Sequence, residues 1–134
     1  RSVSRYHQIL EFHTDADSLK CQSLARNRKA QILIWQEITA VQLRLSVEVS
    51  LRQDAKALEL WQKVPSPSQI AYGKQPSTGS AIDGPFDYKS LSSQGKFVVA
   101  ECRLTKIDYL SLNEDHFRAK FEKESGWSGK WISP

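Results

Sequence analysis

In the run AVQLRLSVEVSL, residues 40 to 51, Val41, Leu43, Leu45, Val47, Val49 and Leu51 fall on odd positions, while Gln42, Arg44, Ser46, Glu48 and Ser50 take the even ones. A period of two is the strand repeat, so the pattern predicts a long strand with one apolar face. Just upstream, AQILIWQEI carries its apolar residues almost in succession and reads as a buried strand. The two are expected to pair through a bend at Glu37 to Ala40. Residues 9 to 13, ILEFH, fit a shorter strand. ADSLKCQSLARN follows as a short helix with Leu19, Cys21, Leu24 and Ala25 as its apolar or small residues.

Residues 53 to 63, QDAKALELWQK, place Ala55, Leu58 and Trp61 at helical spacing, and Pro65 and Pro67 stop that helix. A second short helix is expected from Ser68 to Tyr72. Between Lys74 and Gly95 the chain is rich in Pro, Ser, Gly and Asp and reads as a long loop. KFVVAECRL and KIDYLSLN then read as two strands, and NED as a turn into HFRAKFEKE. In that strand Phe117, Ala119 and Phe121 share one face and His116, Arg118 and Lys120 the other. A glycine turn and a short aromatic strand close the chain. The order predicts a mainly β fold, an antiparallel barrel with flanking helices, as one domain over residues 1–134. Closing such a barrel takes about six strands, so part of the sheet is expected upstream of Arg1.

Composition narrows the classes. The chain has 134 residues, 40% of them hydrophobic and 25% charged, enough for one soluble core. No apolar run reaches the length of about 20 residues that a membrane helix needs. The net charge of +4 is spread among 15 acids without a basic stripe, which argues against nucleic acid. The start RSVSRYHQ has no signal-peptide core and no initiator Met, so the chain is expected to begin inside a longer gene product. Cys21 and Cys102 lie far apart with no Cys/His cluster; no metal site is expected, and a reduced, cytoplasmic setting follows, with one disulfide left open.

Candidate chemistry collects at two places. Thr14, Ser18 and Lys20 bring two hydroxyls and an ammonium to a strand-to-helix corner, where a helix N-terminus offers unpaired N–H donors. The spacing fits either an anion-binding corner or a helix capped by Asp15, Asp17 or Ser18 with a solvated lysine. His116, Arg118 and Lys120 form a cationic face that is either solvated or able to hold a carboxylate or phosphate. Gln42, on the polar face of the long strand, either faces water or bonds a flat heterocycle. There is no GxSxG elbow and no phosphate-binding Gly-rich loop. Any difficult chemistry would fall to a cofactor.

The run RSVSRYHQILEFHTDADSLK, the strand bearing Gln42 and the ending HFRAKFEKESGWSGKWISP together resemble the pyridoxamine 5'-phosphate oxidase-related family of FMN-binding split barrels. The resemblance covers nearly the whole chain and implies an antiparallel split β-barrel of Greek-key type, lacking its first strands before Arg1. It implies that Arg1, His13, Thr14, Ser18 and Lys20 hold the cofactor at its phosphate end, that Gln42 contacts the flavin ring, and that Lys120 reaches the cofactor of a second copy. It also implies a homodimer with the cofactor at an interface that includes the strands from Phe97 to Phe121, and a small-molecule substrate near His116 and Arg118.

Three departures from the family pattern matter. Asp17 and Leu19 flank Ser18 where an arginine often stands, so weaker phosphate binding is expected. A ring-stacking tryptophan is replaced by Leu110 or shifted to Tyr109. The substrate grip Arg-x-His-x-Arg-Phe becomes His116-Phe-Arg118-Ala-Lys120-Phe121, so poor oxidation of pyridoxamine phosphate is expected. The resemblance implies an FMN-dependent oxidoreductase with no side chain assigned as catalytic acid or base. A non-catalytic module for flavin or another cofactor, and a partner-binding domain with no cofactor, stay open beside it.

Overall fold

The computed structural model describes residues 2–4 and 9–134, the first three as backbone only. In chain order the elements are β1 (Ser2–Ser4), β2 (Ile9–Asp15), α1 (Leu19–Arg26), β3 (Lys29–Gln36), β4 (Val41–Arg52), α2 (Ala55–Lys63), α3 (Ser66–Gln69), β5 (Lys74–Gln75), β6 (Lys89–Ser90), β7 (Phe97–Ser111), β8 (Phe117–Glu122) and β9 (Gly129–Ile132). Seven strands form one sheet in the order β1-β2-β7-β4-β3, with β8 also on β7 and β9 on β8. β5 and β6 form a small ladder of their own inside the long loop. Among the described residues the strand order does not close on itself. The chain divides into two compact units, one built mainly from Glu11–Arg28 and Ser50–Glu101, the other mainly from Lys29–Val49 and Cys102–Pro134.

In the first unit the core is aromatic. Asp54 caps α2 by accepting from the Ala57 N–H at 3.1 Å, which replaces a bond the helix start lacks. Arg52 steadies that cap, reaching Asp54 at 2.5 Å and Glu101 at 3.1 Å. The buried face of α2 is Ala57 and Trp61, four residues apart. Trp61 packs on Phe97 (centroids 5.4 Å apart) and Tyr72 (5.5 Å). The Ala55, Leu58, Trp61 face expected from the sequence is therefore rotated: Leu58 is 41% exposed. The second short helix lies at Ser66–Gln69, ahead of its expected place, because Pro65 and Pro67 favour a helix start over a helix interior.

In the second unit β3 and β4 form an antiparallel hairpin from Lys29↔Glu48 to Gln36↔Val41, with Ala40 in the left-handed region at the bend (φ 45°). The alternation of β4 works as expected where it is deepest, burying Leu45, Val47 and Val49. β3 does not. It is the last strand on its side of the sheet, and Leu33 (64% exposed) and Trp35 (51%) face outward. A run of consecutive apolar residues fits a fully buried strand or an edge strand with an apolar outer face, and here it is the latter.

β7 corrects a second expectation. The segments 96–104 and 106–113 are one strand of 15 residues. Only Thr105 separates them, and a β-branched residue favours the extended chain rather than breaking it. Its hydroxyl donates to the Ser46 carbonyl at 3.1 Å. The strand then turns into the β7–β8 hairpin, registered from Lys106↔Glu122 to Ser111↔Phe117, and β8 pairs with β9 from Arg118↔Ile132 to Phe121↔Gly129.

The rotated face of α2 is directly testable. Trp61→Ala should cost about 3–5 kcal/mol by urea unfolding. Leu58→Ala should cost less than about 1 kcal/mol. Equal costs at the two positions would contradict the packing described.

Candidate functional site

The corner between β2 and α1 belongs to the first unit. Ser18 is the N-cap of α1, its Oγ accepting from the Cys21 N–H at 3.3 Å. Thr14 Oγ1 lies 3.3 Å from the same oxygen, and both residues are buried. The Gln22 N–H bonds the Ser18 carbonyl, so the N–H groups of Leu19 and Lys20 are the first-turn donors outside that pattern. Lys20 is exposed and stands over the Phe12 ring, 5.4 Å from its centroid. His13 packs on Phe97 at 4.8 Å, with Nε2 3.4 Å from a Glu11 carboxylate oxygen.

Two carboxylates shape this corner. Asp15 is buried, one oxygen accepting from the Asp17 N–H (2.8 Å) and the other from the Gly73 N–H (2.6 Å). Gly73 is in the left-handed region (φ 77°), and a Cβ there would come within 2.8 Å of the Ser93 Cβ. Asp17 pairs with Lys96 at 2.8 Å, and that hydrogen bond, more than the accompanying charge, raises the Lys96 ammonium above its ordinary range. The departure noted at Asp17 is thus partly offset: the acid beside Ser18 carries its own cation. Asp17, Gly73 and Lys96 also line an open depression of about 480 Å³.

The cationic face lies in the second unit. Arg118 and Lys120 stand on the same face of β8, while His116 is exposed in the loop just before it. Arg118 is engaged: Nε donates to Asp108 Oδ1 at 2.8 Å and Nη2 to Oδ2 at 2.7 Å. Those bonds hold the Asp108 carboxyl below its usual range, against the desolvation that would raise it, with further help from the charges of Lys120 and Arg44. Gln42 lies opposite Trp35. In the amide orientation that satisfies both groups, its side-chain oxygen accepts from Arg44 Nε (2.9 Å) and Nη2 (3.2 Å).

Of the residues singled out from the sequence, the structure brings together Thr14 and Ser18 in one unit and Arg118 and Lys120 in the other. Arg1 lies outside the described residues. Another open depression, of about 580 Å³ beside Lys29, Glu48, Lys106 and Glu122, contains none of them. Among the described residues no group of three or more His, Cys, Asp or Glu is placed to hold a metal ion, and no helix is long and apolar enough to cross a membrane. Cys21 and Cys102 are both buried thiols.

Asp108, Arg44 and Lys96 were not among the residues singled out, and Asp15 was one only as a candidate cap. Asp108 had a signal: counting back from the NED turn puts it opposite Lys120 and diagonal to Arg118. Asp15 had a local one, the turn in which it accepts from the Asp17 N–H, but its bond to Gly73 and the pairing of Lys96 had none, because those partners are 58 and 79 residues away.

An open, mostly antiparallel sheet with a few flanking helices is the split-barrel class of fold. No family model matches the chain, and no curated protein matches it in sequence. Solved structures do. A pyridoxamine 5'-phosphate oxidase-related, FMN-binding protein from Nostoc punctiforme is 20% identical and superposes with a TM-score of 0.79, over 100% of this chain and 77% of that one. PhzG from Burkholderia lata, in complex with tetrahydrophenazine-1-carboxylic acid, is 16% identical with a TM-score of 0.77, over 100% and 72%. The chain therefore has the fold of the pyridoxamine 5'-phosphate oxidase-related split barrels, the fold its sequence resembles.

The Asp108–Arg118 pair gives a pH prediction. A carboxyl whose folded-state pKa is depressed adds stability above its unfolded value of about 4, and that stability is lost as pH falls through the lower folded value. Asp108→Asn should therefore be less stable than the native chain at neutral pH, with the difference closing on acidification. Urea midpoints across the acid range would show it; parallel curves would contradict it.

Proposed function

We propose that the chain is a flavoprotein that binds FMN non-covalently, with the phosphate received at the corner of Thr14, Ser18 and Lys20. The observation that carries the reading is the likeness of fold, over the whole chain, to a protein described as FMN-binding. The chemistry of the corner fits a phosphate. Two buried hydroxyls adjoin the start of an eight-residue helix with no acid in its first turn, and an exposed ammonium stands two residues on. Helix N–H donors and their dipole favour an anion there. The shared Thr14–Ser18 contact holds the hydroxyls in register without using all their bonding capacity. His13 would brace the strand end through its packing on Phe97. When bound, FMN would supply two-electron redox chemistry.

For the reaction, we read the Arg118 and Lys120 face as the substrate side of a small-molecule oxidoreductase. Arg118 is not free to grip a phosphate in the way that the oxidases' own arginines are, which supports the expectation of poor pyridoxamine-phosphate oxidation. PhzG's ligand carries a carboxylic acid, so a carboxylate substrate is compatible with this fold. The buried thiols are in keeping with a reducing, cytoplasmic setting.

We further propose a homodimer. In the second unit Tyr109 stacks on Phe117 (5.7 Å) and Phe117 meets Trp131 edge-on (5.9 Å), with Trp131 77% exposed. An aromatic cluster left open to water is a common mark of an interface, and in this fold the resemblance assigns that surface to a second copy.

Two measurements test these readings. Purified protein should show flavin absorbance and bind FMN more tightly than riboflavin; Lys20→Ala should weaken FMN by about ten- to a hundredfold, the worth of one charge-assisted hydrogen bond. Equal affinity for FMN and riboflavin would remove the phosphate corner. Sedimentation should show a dimer, and Phe117→Asp with Trp131→Asp a folded monomer. A native monomer would end the dimer reading.

A further inference from the structure

On the face of the second unit that carries Arg118, three cations surround one carboxylate. Asp108 receives two parallel hydrogen bonds from Arg118, at 2.8 and 2.7 Å. Lys120 is its cross-strand partner, and Arg44 acts on it through charge. A guanidinium fork is the group best shaped to take a ligand's carboxylate or phosphate by two parallel bonds. Here that fork is already filled by a carboxylate tethered to the neighbouring strand. A ligand competing for it must displace a group that never diffuses away. Any anion settling nearby also feels Asp108 itself, which cancels one of the three positive charges, and a dianion loses about twice as much attraction by that as a monoanion at the same distance. What the face still offers is the Lys120 ammonium, which can turn to meet a ligand, and the outer edge of the Arg44 guanidinium, whose Nε and Nη2 are the atoms that Gln42 engages.

We infer that Asp108 is the specificity-determining residue of this face. By withdrawing Arg118 and cancelling one positive charge it narrows the advantage that a phosphate monoester has on this cationic face over a monoanionic, carboxylate-bearing ligand, either being held by Lys120 and Arg44. The inference rests on reading this face as the substrate side. Asp108 acts through Arg118 and through its own charge; it does not touch the ligand.

The test uses benzoate and phenyl phosphate as probes, titrated calorimetrically into the purified protein at fixed ionic strength and at about pH 8, where the phosphate is a dianion. The native chain should bind benzoate and phenyl phosphate within about threefold of each other. Asp108→Asn releases the fork and removes the like charge, so it should tighten phenyl phosphate about tenfold and benzoate by no more than about threefold. A native chain that prefers phenyl phosphate by about tenfold, a preference unchanged in Asp108→Asn, or no binding of either probe to both proteins overturns the inference.

Should Asp108→Asn not fold, the double variant Asp108→Asn with Arg118→Gln removes the pair as a unit. It should bind both probes within about twofold of the native chain, because a self-satisfied pair contributes little to the ligand; a tenfold loss of either probe overturns the inference. Flavin absorbance read on the same samples keeps the two ideas apart. A shifted preference in protein that binds no flavin would end the flavoprotein reading and leave Asp108's role standing. An unshifted preference in FMN-loaded protein would do the reverse.

Discussion

Every backbone N–H and C=O of a long buried strand must find a partner, and β7 makes that requirement the organising constraint of this chain. Its 15 residues pair with β2, β4 and β8, and its first four side chains are all buried. A segment so occupied cannot shift by one residue without exchanging every side chain between its two faces and remaking its ladders with three strands. Asp108 and Lys106 are therefore held where β8 can meet them with Arg118 and Glu122. The charge pattern of the candidate substrate face is a by-product of a register fixed by burial.

Charge is handled by pairing rather than by segregation. Asp17 answers Lys96, Arg52 answers both Asp54 and Glu101, Lys106 answers Glu122, and Asp108 answers Arg118. The more exposed of these pairs, Asp17–Lys96 and Lys106–Glu122, add little to stability. Beside these pairs stand cations such as Lys20 at the corner, over the Phe12 ring, and Lys120 on the β8 face. A net positive chain thus carries several of its cations beside acids rather than in one uniform field. That distribution suits small anions better than an extended polyanion.

What the sequence revealed depends on how far apart the interacting residues lie. The alternation in β4 was legible because a strand reports its own two faces. A helix cap at 15 to 18 was legible because capping is a three-residue affair, while the choice of Ser18 over Asp15 and Asp17 was not. β3 was misread because a run of apolar residues does not say whether a neighbour covers it, and α2 because three of its small and apolar positions fit two helical faces equally. The join at Thr105 was misread because a short polar stretch resembles a strand end when the ladder beside it is unknown. Thr14, Ser18 and Lys20 could be named as a group from spacing, with Asp15 between them; the Gly73 amide that Asp15 accepts from and Lys96 could not, since only the fold puts them beside that group. The capture of Arg118 by Asp108 sat between these cases, recoverable from the hairpin turn by counting.

The bond from the Gly73 amide to Asp15 carries a consequence for how this sequence can drift. Asp15 is useful where it is only because a backbone N–H from a distant loop arrives at 2.6 Å, and that loop reaches it in a left-handed turn where a side chain would strike Ser93. Neither position can change freely alone. Loss of the carboxylate leaves a buried amide without its acceptor, and any larger residue at 73 pushes the amide away from a buried anion. Positions 15 and 73 should therefore be inherited as a unit, and a lineage that replaces one should be found to have rebuilt the other.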